Sequence, residues 1–221
     1  MLAGIRFAGT KRRVIMRSMS GAAILFVVTL ALSLAGLFGS PGIIQRCILR
    51  PYRVVRERQY ERLVSSGFVH ADVQHLLFNL LTFWFFAFAM ERTVGTARFL
   101  ALYFAGLVLA NLGTVYKHRN DPDYASLGAS GAILAVLFAA IVYFPHQRLF
   151  ILPLPVPIPA PLFAIGYLAY SLYSSRRGGG RVNHDAHIAG AITGLVFVAV
   201  TDPFAYRQLA GMLGFDIQEG A

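Results

Sequence analysis

Six stretches of the chain are almost wholly apolar, at residues 20–39, 73–90, 98–116, 126–145, 161–175 and 186–202, and charged residues gather between them. The first four run uncharged for long enough to cross about 30 Å of hydrocarbon as helices. The fifth and sixth are shorter, which predicts tilting, or shielding by neighbouring helices. Polar residues interrupt the pattern at the start of each even-numbered stretch: His75 with Asn79, Ser130 within Gly128-Ala129-Ser130-Gly131, and His187 ahead of Gly190 and Gly194. Spans that alternate direction begin at the same membrane face whenever their number is even. These three clusters are therefore expected to meet at one depth.

The connectors carry their own signals. From Pro153 to Pro161 every second residue is proline, which removes backbone donors and biases the intervening residues toward extended geometry. This predicts a stiff polyproline-like link at a membrane surface rather than a span. A ligand for a proline-recognising domain is the other reading, disfavoured because the interleaved residues are apolar and both ends are tethered. Asn120-Asp121-Pro122-Asp123 and Gly178-Gly179-Gly180 mark loops. The first loop, about 40–72, carries six arginines and has room for short interfacial helices. No internal repeat is visible, which argues against an inverted-repeat transporter. The expected division is a basic segment over 1–19, a six-helix membrane domain over 20–202 and a tail over 203–221.

Composition agrees with an all-α polytopic membrane protein: 57% of the 221 residues are hydrophobic and 14% charged, where a soluble domain has about 25% charged. The net charge of +10 lies between apolar runs rather than on one aromatic-interleaved face, so headgroups are the expected partner and nucleic acid is not. Cys47 is the only cysteine, which rules out an intramolecular disulfide. Lys11, Arg12, Arg13 and Arg17 precede an apolar run of 18 residues, Gly21 to Phe38. That run is long for a signal peptide and is read as a retained first helix. With the N-terminus inside, nine of the 20 lysines and arginines fall on the inner side, so charge asymmetry does not decide orientation.

The polar clusters have parts for acyl transfer. Ser130 has small neighbours, and amides in the first turn of a helix lack intrahelical acceptors and can face a developing oxyanion. The bland alternative is an N-cap serine above a small-residue packing face. Ala186, Gly190 and Gly194 form a smooth stripe that would let the last helix approach the fourth, bringing His187 to Ser130 as general base. The alternative is an interfacial histidine at a helix end. His75 and Asn79 share a helix face, either as oxyanion donors or as an interhelical hydrogen bond. Asp185 sits about 200° round the helix from His187, a poor third member, so a dyad is expected. No His-Glu-x-x-His run and no intramembrane aspartate pair is present. A metal held by His70, His75, His184 and His187 remains the competing chemistry.

The stretch from His70 to Asn79, then Gly128-Ala129-Ser130-Gly131, then Ala186-His187-Ile188-Ala189-Gly190 resembles the rhomboid intramembrane serine proteases, over roughly 60–202. The resemblance implies a six-helix bundle with Ser130 as nucleophile, His187 as base, and His75, Asn79 and the Ser130 amide around the oxyanion. It gives His70 a loop-bracing role, leaves Gly128, Gly131, Gly190 and Gly194 as supports, and reads Glu91 with Gly95 as a structural turn. It requires no cofactor or metal, and implies single-span or multi-span membrane proteins as substrates. It further implies a cell (inner) membrane location with the N-terminus, and so the basic segment 1–19, cytoplasmic and the site toward the outer face. Two positions depart from it. Glu61 stands where many members have an aromatic before Arg62, and Leu134 where many bacterial members have a tyrosine against the catalytic imidazole. A non-proteolytic scaffold of the same architecture is the alternative function.

Overall fold

The computed structural model describes residues 20–151, 154–177, 182–212 and 214. The basic N-terminal stretch 1–19, Pro153, the Gly178–Gly180 run and most of the last nine residues lie outside them. Helix α1 (Gly21–Leu34) runs into a wider turn at Ala35–Gly39, and the first loop folds into α2 (Pro41–Cys47), α3 (Pro51–Arg56) and α4 (Arg62–Ser65). Helices α5 (Val73–Val94) and α6 (Thr96–His118) follow, then α7 (Ser130–Tyr143). A hairpin of β1 (Arg148–Ile151) and β2 (Leu154–Pro159) leads to α8 (Ala160–Arg177), α9 (His184–Thr201) and the short α10 (Tyr206–Met212). The six apolar stretches correspond to α1 and α5–α9. The chain is a multi-pass integral membrane protein with a helical bundle fold.

Two expectations are corrected. The fourth stretch, read as a full span over 126–145, is a helix of only 14 residues, about 21 Å long. Gly128 at φ +114° ends any helix on its N-terminal side, and 126–129 runs as loop. Gly131 through Val142 are all buried, because this helix is apolar on every side and the others surround it. It is the central helix, shielded more completely than the fifth or sixth.

The proline-rich link is not a polyproline strut but an antiparallel hairpin, pairing Arg148 with Pro159 and Phe150 with Pro157. Ala160 N donates to Gln147 O at 3.0 Å, so by the alternation of an antiparallel ladder Pro157 and Pro159 fall at non-hydrogen-bonded positions. Their missing N–H groups cost the ladder nothing there.

Lipid supplies no hydrophobic drive between helices, so close backbone packing must hold the bundle. A β-carbon on Gly190 would meet the Gly131 carbonyl, one on Gly194 the Ala135 carbonyl, and one on Gly106 the Ala135 side chain. Helices α7 and α9 thus meet backbone to backbone along one seam, and α6 packs on α7 through the Ala135 side chain.

At the opposite end of the bundle, Glu91 near the end of α5 caps α1. Its carboxylate accepts from Gly21 N at 2.7 Å, Ala22 N at 3.0 Å, Thr96 Oγ1 at 2.8 Å and the Ser20 hydroxyl. The helix dipole favours an anion at this point. Glu91→Gln is expected to cost about 1.5–3 kcal/mol, the range for charge-assisted hydrogen bonds, read as a lower thermal midpoint in detergent; an unchanged midpoint would remove Glu91 from this role.

Candidate active site

The segment before Ser130 is clamped from three sides. Leu49 and Ser126 exchange backbone hydrogen bonds at 2.9 and 3.0 Å, and Gly128 N donates to Ser66 O at 2.9 Å. The first loop is itself tied down: Arg62 Nη1 donates to Gln45 O at 3.0 Å and Ile48 O at 2.6 Å. Arg62 therefore braces the loop through backbone carbonyls, with Gln59 as its side-chain partner. Asn111 Nδ2 on α6 donates to Leu63 O at 2.8 Å and Ser66 Oγ at 3.1 Å.

His70 is fully buried and its hydrogen bonds define its tautomer. Ser33 Oγ donates to Phe68 O at 3.1 Å, so it accepts from His70 Nδ1–H at 2.9 Å. His70 Nε2 then accepts from Ala129 N at 3.4 Å. The ring is neutral, joining α1 to the residue before Ser130. Burial, reinforced by the neighbouring His75, pushes its pKa down from 6.5 to about 3. A depressed histidine pKa means that the unfolded chain takes up a proton the folded one refuses. Its contribution to stability is complete above about pH 6.5 and is lost progressively as pH falls toward about 3. Thermal midpoints in detergent are expected to fall across that window, and less steeply in His70→Gln; equal slopes would assign the acid sensitivity elsewhere.

Helices α5, α7 and α9 all begin at this end and bring the sequence clusters together. His187 Nε2 lies 2.8 Å from Ser130 Oγ, Ser130 being the first residue of α7. The His75 ring covers Gly128, where a β-carbon would collide with it, and stacks edge-on with His70 at 4.9 Å. Asn79 Nδ2 donates one hydrogen to His75 O at 2.9 Å and carries a second.

Asp185 points away from His187, to Lys117 Nζ at 2.5 Å and to the Ser175 hydroxyl. Asn183 caps α9 through Ala186 N at 3.1 Å and donates to Thr114 Oγ1 at 2.8 Å. Among the described residues no group of three His, Cys, Asp or Glu side chains is placed to hold a metal. His70 spends both ring nitrogens on Ser33 and Ala129, which breaks up the four-histidine set.

Two cavities meet at the Ser130–His187 pair. One, of about 630 Å³, is lined by His75, Asn79, Gly128, Asn111 and Tyr124 as well as the pair. The other, of about 1190 Å³, lies between α5 and α8 and is walled by Phe78, Phe85, Leu134, Phe163 and Leu149. A polar chamber and an apolar one thus share a serine and a histidine.

Sequence reasoning missed Ser33, Asn111 and Tyr167. The first two are polar residues inside apolar stretches, the signal that singled out Asn79. Tyr167 Oη lies 2.9 Å from His187 Nδ1, and nothing in its sequence surroundings separates it from Tyr170 and Tyr173.

Residues 57–203 match the family described as the Rhomboid domain. The presenilin-associated rhomboid-like protein A, mitochondrial, of Danio rerio is 30% identical over 155 residues, covering 69% of this chain and 40% of that protein. The putative rhomboid protease YdcA of Bacillus subtilis is 40% identical over 83 residues, 37% of this chain and 40% of the relative. Rhomboid protein 1, mitochondrial, of Saccharomyces cerevisiae is 27% identical over 138 residues, 61% of this chain and 40% of its own length. The chain matches well under half the length of these relatives. With the family domain spanning most of the helical bundle and both Ser130 and His187, the protein belongs to the rhomboid family.

Proposed function

We propose that the protein is an intramembrane serine endopeptidase that cleaves transmembrane segments of other membrane proteins through a Ser130–His187 dyad. The observation that carries this is the 2.8 Å hydrogen bond between Ser130 Oγ and His187 Nε2 at the junction of the two cavities. His187 Nε2 takes the Ser130 proton as Oγ attacks a peptide carbonyl. The oxyanion is stabilised by His75, Asn79 and the Ser130 amide, each donor worth about 10²–10³ in rate. Nε2–H then protonates the leaving amine, and water admitted through the polar chamber hydrolyses the acyl-enzyme.

Glu91 binds the first amides of α1 at the end of α5, so α1 starts at the membrane face opposite the site. With the N-terminus cytoplasmic, as the family resemblance implies, cleavage occurs toward the outer face of a cell (inner) membrane. The apolar cavity between α5 and α8 is the entry for a substrate helix from lipid.

A hydrogen-bonded helix shields its carbonyls, so substrates carry small or helix-breaking residues near the cut. The full chain in proteoliposomes is expected to cleave a single-span reporter with Gly-Ala near its outer end into two fragments mapped by mass. A polyleucine span should stay intact. Equal cleavage of both, or none by folded protein, would contradict the proposal.

A further inference from the structure

His187 has a second nitrogen, and it too is engaged. Its Nδ1 lies 2.9 Å from Tyr167 Oη, and the two rings have centroids 6.4 Å apart with planes inclined by 27°. Resting on the dyad reading above, we propose that Tyr167 is a positioning residue: its phenol oxygen accepts a hydrogen bond from His187 Nδ1–H and holds the tautomer that can receive the Ser130 proton.

A neutral imidazole carries one proton. For Nε2 to accept from Ser130 Oγ–H, that proton must sit on Nδ1, where it faces the tyrosine oxygen. The opposite arrangement, with the phenol donating to Nδ1, would place the ring proton on Nε2 and leave no base. In soluble serine proteases a carboxylate makes this choice. Here Asp185 is committed to Lys117 and Ser175 and cannot. The phenol must send its own proton elsewhere. Ser171, one turn along α8 and so on the same face, has a buried hydroxyl to which no other hydrogen-bond partner is placed among the described residues, and it can accept that proton.

The other titratable groups around His187 are His184 on its own helix, with ring centroids 5.9 Å away, Tyr170 of α8 against His184 at 5.5 Å, and His75 of α5 in the shared chamber. Leu134 of α7 lines the neighbouring cavity with an apolar side chain and has nothing to offer Nδ1. The orienting oxygen therefore comes from α8 rather than from the helix that carries the serine.

The test uses the full chain, labelled with ¹⁵N-histidine, in detergent micelles, with His187→Ala to identify the His187 signals. Tyr167→Phe keeps the ring and its stacking on Phe163 and removes only the oxygen. The wild type is expected to show the proton on Nδ1, and Tyr167→Phe a mixture of tautomers. Turnover should fall about 10–10²-fold, the range for a buried N–H left without an acceptor, in kcat with KM unchanged, and the acidic limb of the pH–rate profile should move. A wild-type ring protonated on Nε2, an unchanged spectrum in Tyr167→Phe, or a loss confined to KM would overturn the assignment. Failure of the protease reading looks different: wild type would then lack Ser130-dependent turnover, while the tautomer of His187 is read all the same.

Discussion

Ser130→Ala and His187→Ala are each expected to abolish labelling by a fluorophosphonate probe and to lower cleavage by about 10⁴–10⁶-fold, the range found when a member of a serine–histidine pair is removed. The double variant should be no worse than either alone. The reason is geometric. Ser130 Oγ has its hydrogen bond to His187 Nε2, and a serine with no base is a poor nucleophile at neutral pH. Both substitutions are small changes at the junction of two cavities, so the folded bundle should survive them, and thermal midpoints near wild type are the necessary control. Labelling that persists in Ser130→Ala would place the reactive group elsewhere. Folded wild type that neither labels nor cleaves would favour a non-proteolytic relative.

The second large effect lies away from the reacting atoms. Gly190→Ala is expected to lower kcat/KM by about 10²-fold or more and to destabilise the bundle by about 1–3 kcal/mol. The atoms that a β-carbon at 190 would strike are the backbone oxygen, carbon and Cα of Gly131, which no rotamer change can move. Helix α9 must back away from α7. His187 lies within one turn of Gly190 and must follow, lengthening its contact to Ser130. Gly113→Ala is the contrast, since the nearest atom to a β-carbon there is Ala189 Cβ at 3.9 Å. That variant should be neutral or slightly more stable, as alanine is the better helix former. If thermal midpoints and rates of the two variants coincide, the seam is not what sets the dyad distance.

How far these features could be read from sequence depends on their physics. The apolar stretches located all six helices, because lipid demands long uncharged runs. The polar interruptions at 75, 79, 130 and 187 stood out against that background, and the structure brings them into one chamber. The length of α7 did not show, since Ser126 to Gly128 is compatible with either a helix start or a loop until Gly128 adopts its positive φ. The hairpin also escaped. Its period-two alternation is a strand signal, but proline argues against strands unless it falls at non-hydrogen-bonded positions, and only the register reveals that. Tyr167 was invisible for another reason: its role comes from where α8 leans, which local sequence does not encode. The departure at Leu134 left the base without an expected neighbour, and its replacement came from a different helix.

The division of the dyad between α7 and α9 bears on the birth of the protein. Synthesis delivers the serine helix to the membrane before the histidine helix exists. Until α9 is inserted, Ser130 has no base, and the seam that fixes its distance to His187 has only one wall. On the proposed reading, a translation intermediate is inert toward its neighbours in the crowded site of insertion. Proteolytic competence then arrives in one step, with the docking of α9 against α7.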